Sequence, residues 1–175
     1  KNGISWPMSM RWPLSLWRGM FAPNAEKVQQ QAAAVAPTAD PQLRGAYLVE
    51  GLGHCGACHT ARSFTMAEKA LTGSDSQFVG GSDGPVDGWT AKSLRGGDKT
   101  GLASWSEADI VAFLKTGRNS HTSAFGGMTD VVEHSTQYVS DSDLNAIAVY
   151  LKSLGPGKDN DKATAFAANP ATANA

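Results

Sequence analysis

The sequence has little cysteine: Cys55 and Cys58 are the only two in 175 residues. A structural zinc site needs four protein ligands, normally a second Cys/His pair at similar spacing. The remaining histidines, His54, His121 and His134, show no such pairing, so that reading has no support. No apolar run reaches the roughly 18 residues that a spanning helix needs. The formal charge is −1, with 15 basic and 16 acidic residues and no Lys/Arg stripe. Nothing in that balance recruits nucleic acid or an anionic membrane surface. A signal-peptide pattern is also lacking, and the start at Lys1 reads as a mature chain or a piece of a longer one.

What the chain has in quantity is glycine and proline, 19 and 8 residues, which implies much irregular structure. Three regions differ in composition. Residues 1–39 form an arm and linker, and Trp6, Trp12 and Trp17 of the five tryptophans lie there. After Pro13, the residues Leu14, Leu16, Trp17, Met20 and Phe21 can cover one side of a short helix. Residues 40–155 read as the compact domain, and 156–175 as a flexible tail almost without large apolar side chains.

Within the compact part, Asp40-Pro41 predicts a helix start. Leu43, Ala46, Tyr47 and Glu50 continue at helical spacing until Gly51 and Gly53. Ser106 with Asp109 predicts a capping box, Ile110, Phe113 and Leu114 the buried side, and Gly117 the stop. A last helix from Asp141 to Leu154 repeats Leu144, Ile147, Ala148, Leu151 and Leu154, and Gly155-Pro156 ends it. The stretches 72–103 and 118–130 read as loops. The fold class is all-α, three to four helices with long loops, which need something rigid to pack against.

Cys55-Gly-Ala-Cys58-His59 supplies it. Two intervening residues let both thiols reach one porphyrin edge, and the next histidine turns its imidazole under the ring. C-x-x-C-H is the attachment motif of c-type haem. A redox dithiol would want a βαβ context that is not visible. The sixth iron ligand is expected from Met128, in the glycine-flanked loop Phe125-Gly-Gly-Met128, since a thioether is the usual partner in cytochromes c. Met66 follows His59 too closely and reads as packing; Met8, Met10 and Met20 lie in the arm. His121 and His134 are the bis-histidine rivals, and His54 reads as a surface residue. Arg62 and Arg95 are candidate donors to the haem propionates, and Trp105 a candidate wall. Leu94, Leu102 and Phe125 complete the expected pocket.

Several runs together resemble one family: Gly45-Ala-Tyr47, Cys55 to His59, Thr60-Ala-Arg62, Gly88-Trp89, Leu94-Arg95, Gly101-Leu-Ala-Ser-Trp105-Ser106, Asp109 to Asn119, Phe125 to Met128, and Ser135 to Tyr138. They are similar to the second of three haem domains in the cytochrome c subunit of bacterial membrane-bound dehydrogenases, of the alcohol, aldehyde, gluconate or fructose type. The run from Ile4 to Pro23 looks like that family's connector between haem domains. The resemblance implies a class I cytochrome c fold around one covalent haem c. It also implies single-electron transfer from a flavo- or quinoprotein dehydrogenase subunit, through other haem domains, towards ubiquinone at the periplasmic face of the cytoplasmic membrane. A full subunit would carry three C-x-x-C-H motifs and a membrane anchor; this sequence carries one motif. The expected role is an electron-transfer component, not an enzyme by itself. A stand-alone single-haem cytochrome, or a haem protein with an open peroxidase or sensor site, is the alternative. The arm reads as a docking surface, as a cover for the domain's own core or, less favoured, as a membrane-surface segment.

Overall fold

The computed structural model describes residues 10–22, 26, 40–65, 67–70, 76–80, 90–96 and 101–157. The chain divides into two compact units, Lys1–Ala34 and Val35–Ala175. Met66, Trp89, most of the linker and the expected tail from 158 lie outside the described residues.

In the first unit, Pro13 opens helix α1, Trp12–Phe21, whose N-cap Arg11 makes no side-chain cap bond. Trp17 and Phe21, one turn apart, approach to 5.7 Å between ring centroids. Of the expected apolar side, Leu14, Leu16 and Met20 are exposed and Trp17 and Phe21 half-buried; Trp12 is exposed as well. Apolar residues on several sides of a ten-residue helix cannot all meet one neighbour.

The second unit begins with α2, Pro41–Ala46, capped by Asp40 Oδ1 accepting from the Gln42 amide at 2.9 Å. The helix then widens into π-type turns over Tyr47–Leu52. Leu43 is exposed, while Gly45, Leu48 and Val49 are buried. A short helix α3, Gly56–His59, carries the attachment motif.

Helix α4, Glu107–Thr116, forms where predicted. Ser106 accepts from the Asp109 amide, Asp109 accepts from the Ser106 amide, and Gly117 closes the helix at φ 75°. Helix α5, Gly127–His134, was not foreseen; its adjacent β-branched Val131 and Val132 and leading glycines give weak helical signals. One 3₁₀ turn, Thr136–Tyr138, leads to α6, Asp141–Ser153. Leu144, Ala148 and Leu151 are buried as predicted, together with Ala146 and Tyr150. No strand occurs among the described residues; backbone pairing is limited to isolated bridges such as Arg118 with Ser123.

Helices α2 and α6 cross at Gly45. A Cβ built there would lie 2.0 Å from the Ala146 carbonyl oxygen and 2.6 Å from Tyr150 Cβ. Only glycine permits that approach. Arg44 clamps the crossing with two bonds to Asp143, Nε to Oδ1 at 2.8 Å and Nη2 to Oδ2 at 3.0 Å. This pairing holds the Asp143 carboxyl below its ordinary range. Tyr150 donates its hydroxyl to Glu50, tying α6 to the π turns. Val49, Phe78, Ile110, Ala148, Tyr150 and Leu151 form the core around this crossing. Gly45→Ala should therefore cost about 3 kcal/mol or more through overpacking. In urea unfolding the midpoint should fall with an unchanged slope.

Candidate functional site

The site grows from the end of the π turns. The Gly53 amide donates to the Leu48 carbonyl at 2.7 Å and the Cys55 amide to that of Val49 at 3.2 Å. Gly53 has an ordinary negative φ, and the left-handed residue is His54, at φ 49°. What Gly53 supplies is room: a Cβ would stand 2.8 Å from the Leu48 carbonyl oxygen and 3.3 Å from Cys55 Sγ. His54 is exposed beside the motif, the surface position expected of it.

The Cys55 side chain is half-buried against the core, and that of Cys58 is exposed. Burial pushes the Cys55 thiol up to about 11.

His59 closes the motif with its ring fixed in orientation. Nδ1 lies 2.7 Å from the Lys92 carbonyl oxygen. A carbonyl only accepts, so Nδ1 carries the proton and Nε2 keeps its lone pair. Burial holds the imidazole below its usual value, the neutral form that a metal requires. The backbone of His59 is anchored as well: its carbonyl accepts from Gly80 at 2.9 Å. Behind it Thr60, fully buried, receives the Phe78 amide on its hydroxyl at 3.0 Å. Thr60, Phe78 and the Lys92 carbonyl were not foreseen. A backbone carbonyl carries no residue-type signal, and Thr60 and Phe78 meet only across a loop.

The other expected residues take these places. Leu94, Leu102 and Trp105 are half-buried against the same core as Cys55. Trp105 meets Phe113 edge-on at 5.3 Å and stacks on His121 at 5.4 Å. Arg62 donates to the Ala57 carbonyl inside the motif at 3.0 Å. Arg95, only 4% exposed, donates to the Gln77 and Leu154 carbonyls, both at 2.6 Å. Phe125 is 48% exposed. Met128 is not in a loop but in the first turn of α5, half-buried. The glycine that matters before it is Gly126, at φ 56° and ψ −145°, a conformation open essentially to glycine alone. His121 Nε2 lies 3.4 Å from Asp109 Oδ2, and His134 bonds back to the Asp130 carbonyl within α5.

Two thiols on one turn, an oriented neutral imidazole after them and an apolar wall beside them fit a covalently attached haem. The fold and this donor set define a helical domain with a C-x-x-C-H motif at the edge of its core. Similarity to known proteins then carries the assignment further, although no family model matches the chain. The chain is 60% identical over 156 residues to the gluconate 2-dehydrogenase cytochrome c subunit of Pantoea cypripedii, covering 88% of this chain and 34% of that protein. It is 49% identical over 173 residues to the alcohol dehydrogenase (quinone) cytochrome c subunit of Gluconobacter oxydans, covering 93% and 35%. The fructose dehydrogenase cytochrome subunit of Gluconobacter japonicus is 35% identical over 155 residues, covering 88% and 29%. The chain belongs to this family of dehydrogenase cytochrome c subunits. It spans about a third of the length of these curated relatives.

Asp109 offers a pH test of the wall. Hydrogen bonds from the Ser106 hydroxyl and amide, then from Ser120 and His121, lower its carboxyl from 3.8 to about 2. Because the folded form binds the proton less well, its stabilisation is complete above the unfolded value and is lost as pH falls through the folded value. The stability gap between the native chain and Asp109→Asn should be largest above pH 3.8 and close towards about 2, by thermal unfolding across that window.

Proposed function

We propose that this domain carries one haem c on Cys55 and Cys58, with His59 and Met128 as the residues that hold its iron, and relays single electrons. The observation that carries the reading is the His59 Nδ1–H bond to the Lys92 carbonyl, which leaves Nε2 free directly after two thiols on one turn. Bound there, haem iron supplies one-electron redox cycling, and a thioether ligand raises its potential relative to a second histidine. The chain's own residues hold and shield the site. Lys92 fixes the imidazole; Leu94, Leu102, Trp105 and Phe125 wall the pocket; Arg62 and Arg95 bring positive charge towards the propionates. With His59 and Met128 both holding the metal, no substrate would meet it, and specificity would come from the protein surface that approaches the site.

The electron donor is a flavo- or quinoprotein dehydrogenase subunit, and the acceptors are further haem domains and then ubiquinone. Support comes from relatives named as cytochrome c subunits of gluconate, alcohol and fructose dehydrogenases, one with "quinone" in its name. The location that follows is the periplasm, at the membrane face. No helix among the described residues is long and apolar enough to cross a membrane.

Sulfur ligation is read optically. The ferric protein should show the long-wavelength sulfur-to-iron charge-transfer band, and Met128→Ala should abolish it and admit cyanide rapidly. A native chain that lacks the band and binds cyanide at once has an open site of the peroxidase or sensor kind, and the relay reading falls.

A further inference from the structure

The segment that carries Leu94, Leu102 and Trp105 is held to the end of α6 by two cations that reach in opposite directions. Arg95 reaches from this wall to α6, where Nη1 donates to the Leu154 carbonyl at 2.6 Å. The Gly96 amide adds a bond to the Gly155 carbonyl at 3.1 Å. Lys152 reaches back from α6 to the wall. Its Nζ is met by the carbonyl oxygens of Leu102 at 3.1 Å, Ala103 at 3.3 Å and Trp105 at 2.8 Å.

An ammonium has three N–H donors, and here three carbonyls of one short turn converge on it. Carbonyl dipoles aimed at one point repel each other, and the ammonium charge offsets that repulsion. The turn is also pressed in from its other side. The Leu102 amide donates to the Arg95 carbonyl at 3.0 Å, and Gly101, at φ 82°, would place a Cβ 2.2 Å from that same oxygen. Trp105 thus has its carbonyl on Lys152 and its ring against Phe113 and His121.

We propose that Lys152 is a positioning residue for electron transfer: it holds the Leu102–Trp105 turn closed over the haem pocket and thereby keeps water from the iron. The proposal rests on the haem reading above. A haem potential depends on burial and solvent access, so a wall that opens lowers it.

The test uses the full chain with its haem. Lys152→Met keeps the length and apolar stem of the side chain but removes the donors and charge; Lys152→Arg keeps both. Lys115→Met serves as a control, since Lys115 bonds the Val139 carbonyl and pairs with Asp141 elsewhere. Amide hydrogen exchange over 101–106 should become about tenfold faster in Lys152→Met, the scale of one lost charge-assisted hydrogen bond. The reduction potential should fall with it. Lys152→Arg should restore both, and Lys115→Met should move neither. Native exchange in Lys152→Met overturns the proposal. Faster exchange with an unchanged potential overturns it too, because Lys152 is then only a surface tie. A native chain that takes up no haem is recognised from its spectrum before any variant is compared. It removes the haem reading, and the claim about the potential with it.

Discussion

The hydrogen bond between His59 Nδ1 and the Lys92 carbonyl is the constraint around which the described structure is arranged. It selects one tautomer, aims one nitrogen, and joins the attachment motif to a segment 33 residues away. Each neighbouring feature serves that placement. The Gly80 amide holds the His59 carbonyl, the Phe78 carbonyl receives the Leu94 amide, and the Thr60 hydroxyl receives the Phe78 amide. An imidazole free to turn would lose orientation and basicity together, which is why a metal-binding histidine depends on its outer partner as much as on its own ring.

Those loops are long, and among the described residues no strand offers them a sheet to lie on, so they need a rigid floor. The crossing of α2 and α6 provides it. Gly45 lets the two backbones touch, Arg44 with Asp143 and Tyr150 with Glu50 fix their angle, and the core lies beneath. The π turns at Tyr47–Leu52 have a function in this frame: they deliver Cys55 to the core's edge while Gly53 leaves room for its sulfur. Widened helical turns of this type recur near functional sites because they re-aim a short stretch of chain without breaking the helix.

Legibility from the amino-acid string varied with the range of the signal. The capping box of Ser106 and Asp109 and the left-handed Gly117 involve neighbours within four residues, and they formed as read. The Asp40-Pro41 start and the periodic face of α6 did the same. Leu43 fits the helical spacing but is exposed, because the buried face runs through Gly45, where α6 touches, and a glycine carries no apolar signal. Helix α5 was read as loop, so Met128 was assigned to the loop and not to the first turn of a helix. The apolar residues of α1 are legible as such, while the choice between an open and a covered face is not, and Leu14, Leu16 and Met20 lie exposed.

By itself, the sequence determined the chemistry and the local punctuation: two thiols and an imidazole in C-x-x-C-H, a methionine after paired glycines, and helix caps set by side chains a turn apart. Only the tertiary structure decided which imidazole nitrogen is free, which glycine must lack a Cβ because another helix touches it, and which lysine gathers the wall's carbonyls. The reason is physical. Caps and motifs act through bonds and contacts within one or two turns, whereas a tautomer or a close crossing depends on backbone atoms brought from far along the chain, and a backbone carbonyl looks the same at every residue.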